Sequence, residues 1–299
     1  MKRLLKWLGY VVGILVALLV VAVGVVYAVS SSKFSKSYPT AAESVTIPTD
    51  PASVARGKHL AEAIGKCQVC HGDDYAGKKV FDDPVFGRLT SRNLTSGEGG
   101  IGGTFTDADY VRAIRHGVGK DGKSLLFMPA EQFYYFNDAD LGAMIAYLKT
   151  LPAVASPFPP KRSIGPVGRA VMLMTPMPLL SAPLVPQVAQ RPADVPAGVT
   201  KEYGEYLAKT GSCTGCHGPS LSGGAKIEGV LALNLTPGGE LGSWTEADFN
   251  KAIREGVRPD GRVLSAMMPW PYAKKMSDDE MRALWMYIRS LPAKKMGEM

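Results

Sequence analysis

Cys67-Gln68-Val69-Cys70-His71 and Cys213-Thr214-Gly215-Cys216-His217 are the stretches that decide how this chain reads. Each sets two thiols three residues apart, on one side of a helical turn, with a histidine directly after the second thiol. This is the attachment signature of c-type haem. Each thiol adds to a haem vinyl group to form a thioether, and the adjacent histidine reaches the iron as proximal ligand. The two motifs use all four cysteines, leaving none for disulfides. A zinc site fits less well, because zinc pairs are separated by about 15–20 residues, whereas Cys70 and Cys213 lie 143 apart. A thioredoxin-like redox motif calls for a βαβ pattern nearby, and strand signal is weak throughout.

Working outward, the motifs anchor one internal duplication of about 100 residues, two copies of a single unit rather than the three or more of a solenoid. Asn93-Leu94-Thr95 matches Asn234-Leu235-Thr236, and Thr106-Asp107-Ala108-Asp109 matches Thr245-Glu246-Ala247-Asp248. Met128-Pro129 through Leu151-Pro152 runs in register with Met268-Pro269 through Leu291-Pro292. The reading is helical. Thr106 and Thr245 open capping boxes, Gly117 and Gly256 are stops, and Asn137 and Ser277 are N-caps. After those caps, Leu141, Met144, Ile145 and Leu148, and Met281, Leu284, Trp285 and Ile288, fall on one helical face. The expected fold class is all-α.

The duplication also selects the sixth iron ligands. Met128 and Met268 occupy the same place in both copies, each before a proline that limits backbone freedom. A His/Met pair marks an electron-transfer haem of raised potential. Met267 is the rival in copy two, where one residue is inserted before the Met-Pro. His59 and His116 align with Tyr206 and Glu255, so they read as packing or surface groups. Trp244, Trp270 and Tyr134 are expected near haem edges.

Together the runs NLTP, WTEADFNKAIREGV, MMPW and YIRSLP, echoed in copy one, resemble the cytochrome c domains of the membrane-bound cytochrome subunits paired with periplasmic alcohol, aldehyde or sugar-acid dehydrogenases. The resemblance implies two helical cytochrome c folds with Cys67, Cys70, Cys213 and Cys216 as attachment sites. It implies His71 and His217 as proximal ligands, and Met128 and Met268 as distal ones. The chain departs from that pattern in carrying two haem motifs rather than three and an N-terminal apolar segment.

That segment, Trp7 to Val29, holds no charge over 23 residues. About 20 apolar residues span a bilayer, and the apolar core of a cleavable signal peptide is shorter, although Ala28-Val29-Ser30 is a passable cleavage site. Lys2, Arg3 and Lys6 precede it, so the positive-inside rule places residues 31–299 outside the cytoplasm of a bacterial inner membrane, on the periplasmic side. The formal charge of +7 is not a nucleic-acid footprint, since residues 50–152 carry 12 basic and 13 acidic groups and residues 197–299 carry 13 and 12. The expected organisation is a stub and transmembrane anchor (1–30), a periplasmic linker (31–49), one cytochrome c domain (50–152), a Pro-rich linker (153–196) and a second cytochrome c domain (197–299). Residues 152–196 hold 11 of the 22 prolines. The linker's Met172, Leu173, Met174, Met177, Leu179 and Leu180 suggest packing on the two domains.

The expected function is electron transfer through two covalently attached haem c groups. The donor would be a periplasmic dehydrogenase or membrane complex, and the acceptor a terminal oxidase or soluble cytochrome. The alternative is a dihaem peroxidase or thiosulfate-oxidising enzyme with one displaceable distal ligand.

Overall fold

The computed structural model describes residues 2–40, 43–158, 162–174, 179–185, 194–227 and 229–299. Helix α1 (Lys2–Ser35) carries the apolar segment and is long and apolar enough to cross a membrane. Leu4 through Val29 expose nearly every apolar side chain, so the helix is not the core of a soluble body.

The first half follows as α2 (Pro51–His59), a π-helical turn over Leu60–Ile64, and α3 (Gln68–His71), which carries the first motif. Helices α4 (Asp107–His116), α5 (Ala130–Phe133) and α6 (Asp138–Lys149) complete it. After the connecting helix α7 (Pro166–Met174), the second half repeats the order. Its helices are α8 (Lys201–Thr210), α9 (Cys213–His217), α10 (Glu246–Glu255), α11 (Trp270–Ala273) and α12 (Asp278–Ser290).

The expected caps are in place. Thr106 and Thr245 form reciprocal capping boxes with Asp109 and Asp248, and α4 and α10 end in left-handed Gly117 and Gly256. Helix α2 packs along α6, and α8 along α12. Both pairs approach so closely that a Cβ on Gly57 would stand 1.9 Å from the Ala143 carbonyl oxygen, and one on Gly204 2.0 Å from that of Ala283. Only glycine fits there, and it lets the cysteine-bearing end of each half press against its last long helix.

The all-α expectation needs correcting. A hairpin of β1 (Lys79–Asp83) and β2 (Gly87–Thr90) is extended by β3 (Arg162–Ile164), all antiparallel, and β4 (Lys226–Ile227) pairs with β5 (Val230–Leu231). These strands are two to five residues long, too short to show a period of two. Turn chemistry does mark the first hairpin: Asp83 Oδ1 accepts from the backbone N–H of Val85 and Phe86, at 2.8 and 2.5 Å. The Pro-rich connection is likewise more than extended chain, since it supplies β3 and α7. Leu179 and Leu180 are buried, with Met172, against Leu126 and Phe127. Met177 lies outside the described residues.

One buried apolar cluster runs through both halves, from Leu60, Ile64, Met144 and Ile145 to Tyr206, Leu207, Met281 and Ile288. At the contact between halves, Arg56 donates to Asp140 and to the Tyr203 hydroxyl, the Tyr206 hydroxyl donates to Asp140 at 2.7 Å, and His59 Nε2 meets Glu280 Oε2 at 2.7 Å. Asp140 and Glu280 each stand three residues after an N-cap, Asn137 and Ser277. The duplicated sequence thus meets itself at equivalent positions.

Candidate functional site

Each motif enters its site through a left-handed residue, Lys66 at φ 49° and Ser212 at φ 61°. In the first half the Cys70 and His71 backbone N–H groups both turn back on the Cys67 carbonyl, at 3.3 and 2.9 Å. Cys67, Cys70, His71 and Met128 line one cavity of about 670 Å³, walled by apolar side chains such as Leu94, Ile101, Phe105, Ile114 and Phe133. Such a volume is typical of a cofactor pocket.

His71 Nδ1 lies 2.8 Å from the Arg92 carbonyl oxygen, and His217 Nδ1 lies 2.7 Å from that of Leu233. A carbonyl only accepts, so Nδ1 carries the proton in both rings and Nε2 keeps its lone pair. This second interaction fixes the ring and tautomer of a metal-binding histidine. Burial depresses both imidazoles below their ordinary value, against the opposing effect of the carbonyl bond, so both are neutral at pH 7. Burial likewise pushes the thiols up, Cys67 to about 12, so all four are protonated and uncharged.

These carbonyls were not anticipated, but the repeat held their signal. Each immediately precedes an Asn-Leu-Thr. Asn93 Nδ2 donates to the Val154 carbonyl and Asn234 Nδ2 to that of Lys294, both at 2.7 Å, while each Asn Oδ1 accepts from the N–H of Thr95 or Thr236. The asparagine ties the loop to the chain after the last helix, and the carbonyl before it is thereby aimed at the histidine.

The two Met-Pro steps share one backbone form. Pro129 (φ −79°, ψ 56°) and Pro269 (φ −79°, ψ 45°) sit at the centre of inverse γ-turns, with the Ala130 and Trp270 N–H donating to the Met128 and Met268 carbonyls at 2.8 Å. Met128 and Met268 both pack against the common core. Met267 does not, and is 42% exposed.

The loops leading to these methionines differ. In the first half, the Phe127 N–H donates to the Leu179 carbonyl, the Ser181 N–H to that of Leu125, and the Ala182 N–H to Ser124 Oγ. The connecting segment therefore clasps the approach to Met128. In the second half, among the described residues, the N–H groups of Met267 and Met268 bond to Ser265, through its Oγ and its carbonyl.

The two motifs lie side by side. Lys66 Nζ donates to the Ile64 carbonyl of the first half and the Gly211 carbonyl of the second, each at 2.7 Å. Thr214 Oγ1 donates to Gln132 Oε1 at 2.6 Å, and Ser212 and Pro269 of the second half line the first cavity.

The remaining histidines stand outside these sites, His59 on Glu280 and His116 on Glu43. Tyr134 packs with Ala130 and Val185, so Phe133 and not Tyr134 lines the cavity. Trp244 packs on the core, and Trp270 closes over Gly256. Among the described residues no group of three or more His, Cys, Asp or Glu side chains is placed to hold a metal ion. An apolar cavity with two uncharged thiols, a neutral imidazole and a thioether fits haem c. The buried Tyr110 hydroxyl in its wall, without a hydrogen-bond partner, is free to meet a polar group of the occupant.

Comparison with known proteins points to the same class of cofactor. The family profile described as cytochrome c matches residues 54–152 and 202–292. The chain is 29% identical over 281 residues to the cytochrome c subunit of the quinone-type alcohol dehydrogenase of Gluconacetobacter polyoxogenes, covering 81% of this chain and 57% of that protein. It is 38% identical over 97 residues to the gluconate 2-dehydrogenase cytochrome c subunit of Pantoea cypripedii, covering 28% of this chain and 22% of that protein. It is 26% identical over 282 residues to the fructose dehydrogenase cytochrome subunit of Gluconobacter japonicus, covering 83% and 56%. The chain thus spans a little over half the length of the alcohol and fructose dehydrogenase subunits.

Proposed function

Because the chain belongs to the cytochrome c family, we propose that it is a membrane-anchored dihaem electron carrier serving a dehydrogenase. One haem c is attached through Cys67 and Cys70 and held by His71 and Met128. The other is attached through Cys213 and Cys216 and held by His217 and Met268. Haem iron supplies one-electron chemistry. The chain's own residues attach the group, keep a neutral imidazole and a thioether in place, exclude water, and set the two sites against each other.

The observation that carries this reading is the repetition, in both halves, of the His–carbonyl bond and the Met-Pro γ-turn. An enzyme would need one iron with an open or displaceable position. The insertion in copy two leaves Met267 at the surface and Met268 packed, so the peroxidase or thiosulfate-oxidising alternative is not favoured.

Residues 50–152 and 197–299 form the two domains, joined by residues 153–196. Helix α1 is the anchor, with its N-terminus in the cytoplasm and the haem domains in the periplasm. Relatives named as dehydrogenase cytochrome subunits support a periplasmic alcohol, aldehyde or sugar-acid dehydrogenase as donor. The acceptor is a terminal oxidase or soluble cytochrome.

Intact mass and redox titration of the purified chain test the proposal. Two haem adducts and two Met–iron charge-transfer signals are expected. A single adduct, or a high-spin iron in the oxidised protein, refutes it. Protease added to spheroplasts should reach residues 31–299; protection of that region reverses the topology.

A further inference from the structure

The carboxyl end of α1 borders a second cavity, of about 570 Å³, which meets the one described above at Asp121 and Arg162. It is lined by Tyr27, Ser31, Phe34 and Ser35 of α1, Asp121 and Lys123 of the first half, and Arg162 and Arg169 of the connecting segment. Both arginines are held on rigid elements, β3 and α7. The Arg169 guanidinium stacks 4.4 Å from the Tyr27 ring and 5.1 Å from that of Phe34, and donates to Ser30 Oγ, Ser31 Oγ and the Ile164 carbonyl. The Arg162 guanidinium lies 5.7 Å from the Phe34 ring. Asp121 is the one acid in the lining against three cations. Burial and the nearby charge of Arg92 depress the Arg162 guanidinium, with Asp121 opposing them. Arg162 is exposed on β3, so it can take a counter-charge from outside the chain.

The depth of the cavity identifies what could supply that charge. A helix rises 1.5 Å per residue, so about 20 residues from Trp7 cross about 30 Å of hydrocarbon and bring the chain to Tyr27. The cavity therefore opens at headgroup level. Beside it, α7 packs on the end of α1 while exposing Val167 and Met174, apolar side chains suited to the interface.

We propose that this cavity binds the headgroup of an anionic phospholipid. Arg162, Arg169 and Lys123 meet the phosphate, and the acyl chains lie along α1. Planar guanidinium groups suit phosphate oxygens, and the excess of positive charge favours a net anionic headgroup over a zwitterionic one. The inference rests on the membrane-anchored reading.

The test uses the full-length, haem-bearing chain in mild detergent, incubated with equal amounts of phosphatidylglycerol and phosphatidylcholine, with retained lipid counted by native mass spectrometry. One phosphatidylglycerol per chain is expected. Loss of one charged hydrogen-bonding partner in Arg162→Gln should lower its retention by about tenfold or more. Lys123→Gln, in the same lining but outside that of the haem cavity, gives a second reading if Arg162→Gln fails to fold. Equal retention of the two lipids, retention unchanged in both variants, or displacement of the lipid by millimolar inorganic phosphate overturns the headgroup site. Alkaline carbonate washing of the source membranes separates the two levels. Release of the chain refutes the anchor itself, whereas a chain that stays but shows no lipid preference refutes only the site.

Discussion

Arg56→Gln should loosen the contact between the two halves more than any other single polar substitution at their interface. Arg56 Nε and Nη2 each lie 3.0 Å from an oxygen of Asp140, Nη2 lies 3.1 Å from the Tyr203 hydroxyl, and Nη1 lies 3.6 Å from Glu280 Oε1. The carboxylates are 11% and 5% exposed, so removing the guanidinium leaves two nearly buried negative charges without their shared cation. Breaking a buried pair in this way costs about 3–5 kcal/mol. The Arg56 side chain is 30% exposed, so solvent screening brings the expected loss to about 2–3 kcal/mol. For a body of this size that is a fall in melting midpoint of roughly 5–10 °C.

Acid should narrow the effect. The Glu280 carboxyl lies below its ordinary value. Burial alone would raise it, but the bonds from His59 and the Ser277 N–H and the charges of His59 and Arg56 outweigh burial. A depressed carboxyl contributes stability that is complete above its unfolded value, near pH 4.5, and is lost as pH falls through the folded one. Without Arg56 the folded value rises toward the unfolded one, so the gap in stability between the chain and the variant should be widest near neutral pH and close as pH falls below about 4.5. Thermal melts of the full chain followed by circular dichroism and by haem absorbance, from pH 3 to pH 8, measure both effects. Tyr203→Phe removes one neutral hydroxyl and should cost only about 1 kcal/mol. A loss below about 0.5 kcal/mol in Arg56→Gln, the range of an ordinary surface substitution, would refute the reasoning.

Met128→Ala should keep its haem attached but lower the potential of that centre by at least one tenfold step, about 59 mV for a one-electron couple. An unchanged redox titration removes Met128 as ligand. In the second half, Met268→Ala should abolish the Met–iron charge-transfer signal of one haem while Met267→Ala leaves it intact; the reverse outcome exchanges the two residues. Cys213→Ala should reduce covalent attachment at the second site by about one haem mass and leave the first site loaded, and loss of both haems would show that the halves do not load independently. Ser124→Ala removes the acceptor for the Ala182 N–H and should weaken the clasp on the Met128 loop by about 1 kcal/mol, read as faster displacement of that ligand by imidazole at one haem only.

Much of the molecule is written in local sequence. The Cys-x-x-Cys-His spacing is a statement about adjacent residues, and so are the Thr-x-x-Asp capping boxes at Thr106 and Thr245 and the N-caps Asn137 and Ser277, all of which form as read. The long uncharged run sets the character of α1 by composition alone. The Asn-Leu-Thr repeat was visible as a match, but its purpose was not, because its partners Val154 and Lys294 lie about 60 residues away. The short strands escaped notice for a related reason: β3 exists only because a segment from the Pro-rich connection reaches back to pair with β2, more than 70 residues earlier.

The chain's own sequence therefore determined the cytochrome c motif, its repetition and an apolar helix long enough to cross a membrane, since each is encoded within a few contiguous turns of chain, or by matching two such stretches. Tertiary structure alone decided three other things. It set which carbonyl holds each histidine in its tautomer, clasped one methionine loop and not the other, and gathered three cations from separate segments at the end of the span. Each of these joins residues distant along the chain. Nothing in local propensity or period specifies such a meeting; the packing of the two halves against each other and against α1 does.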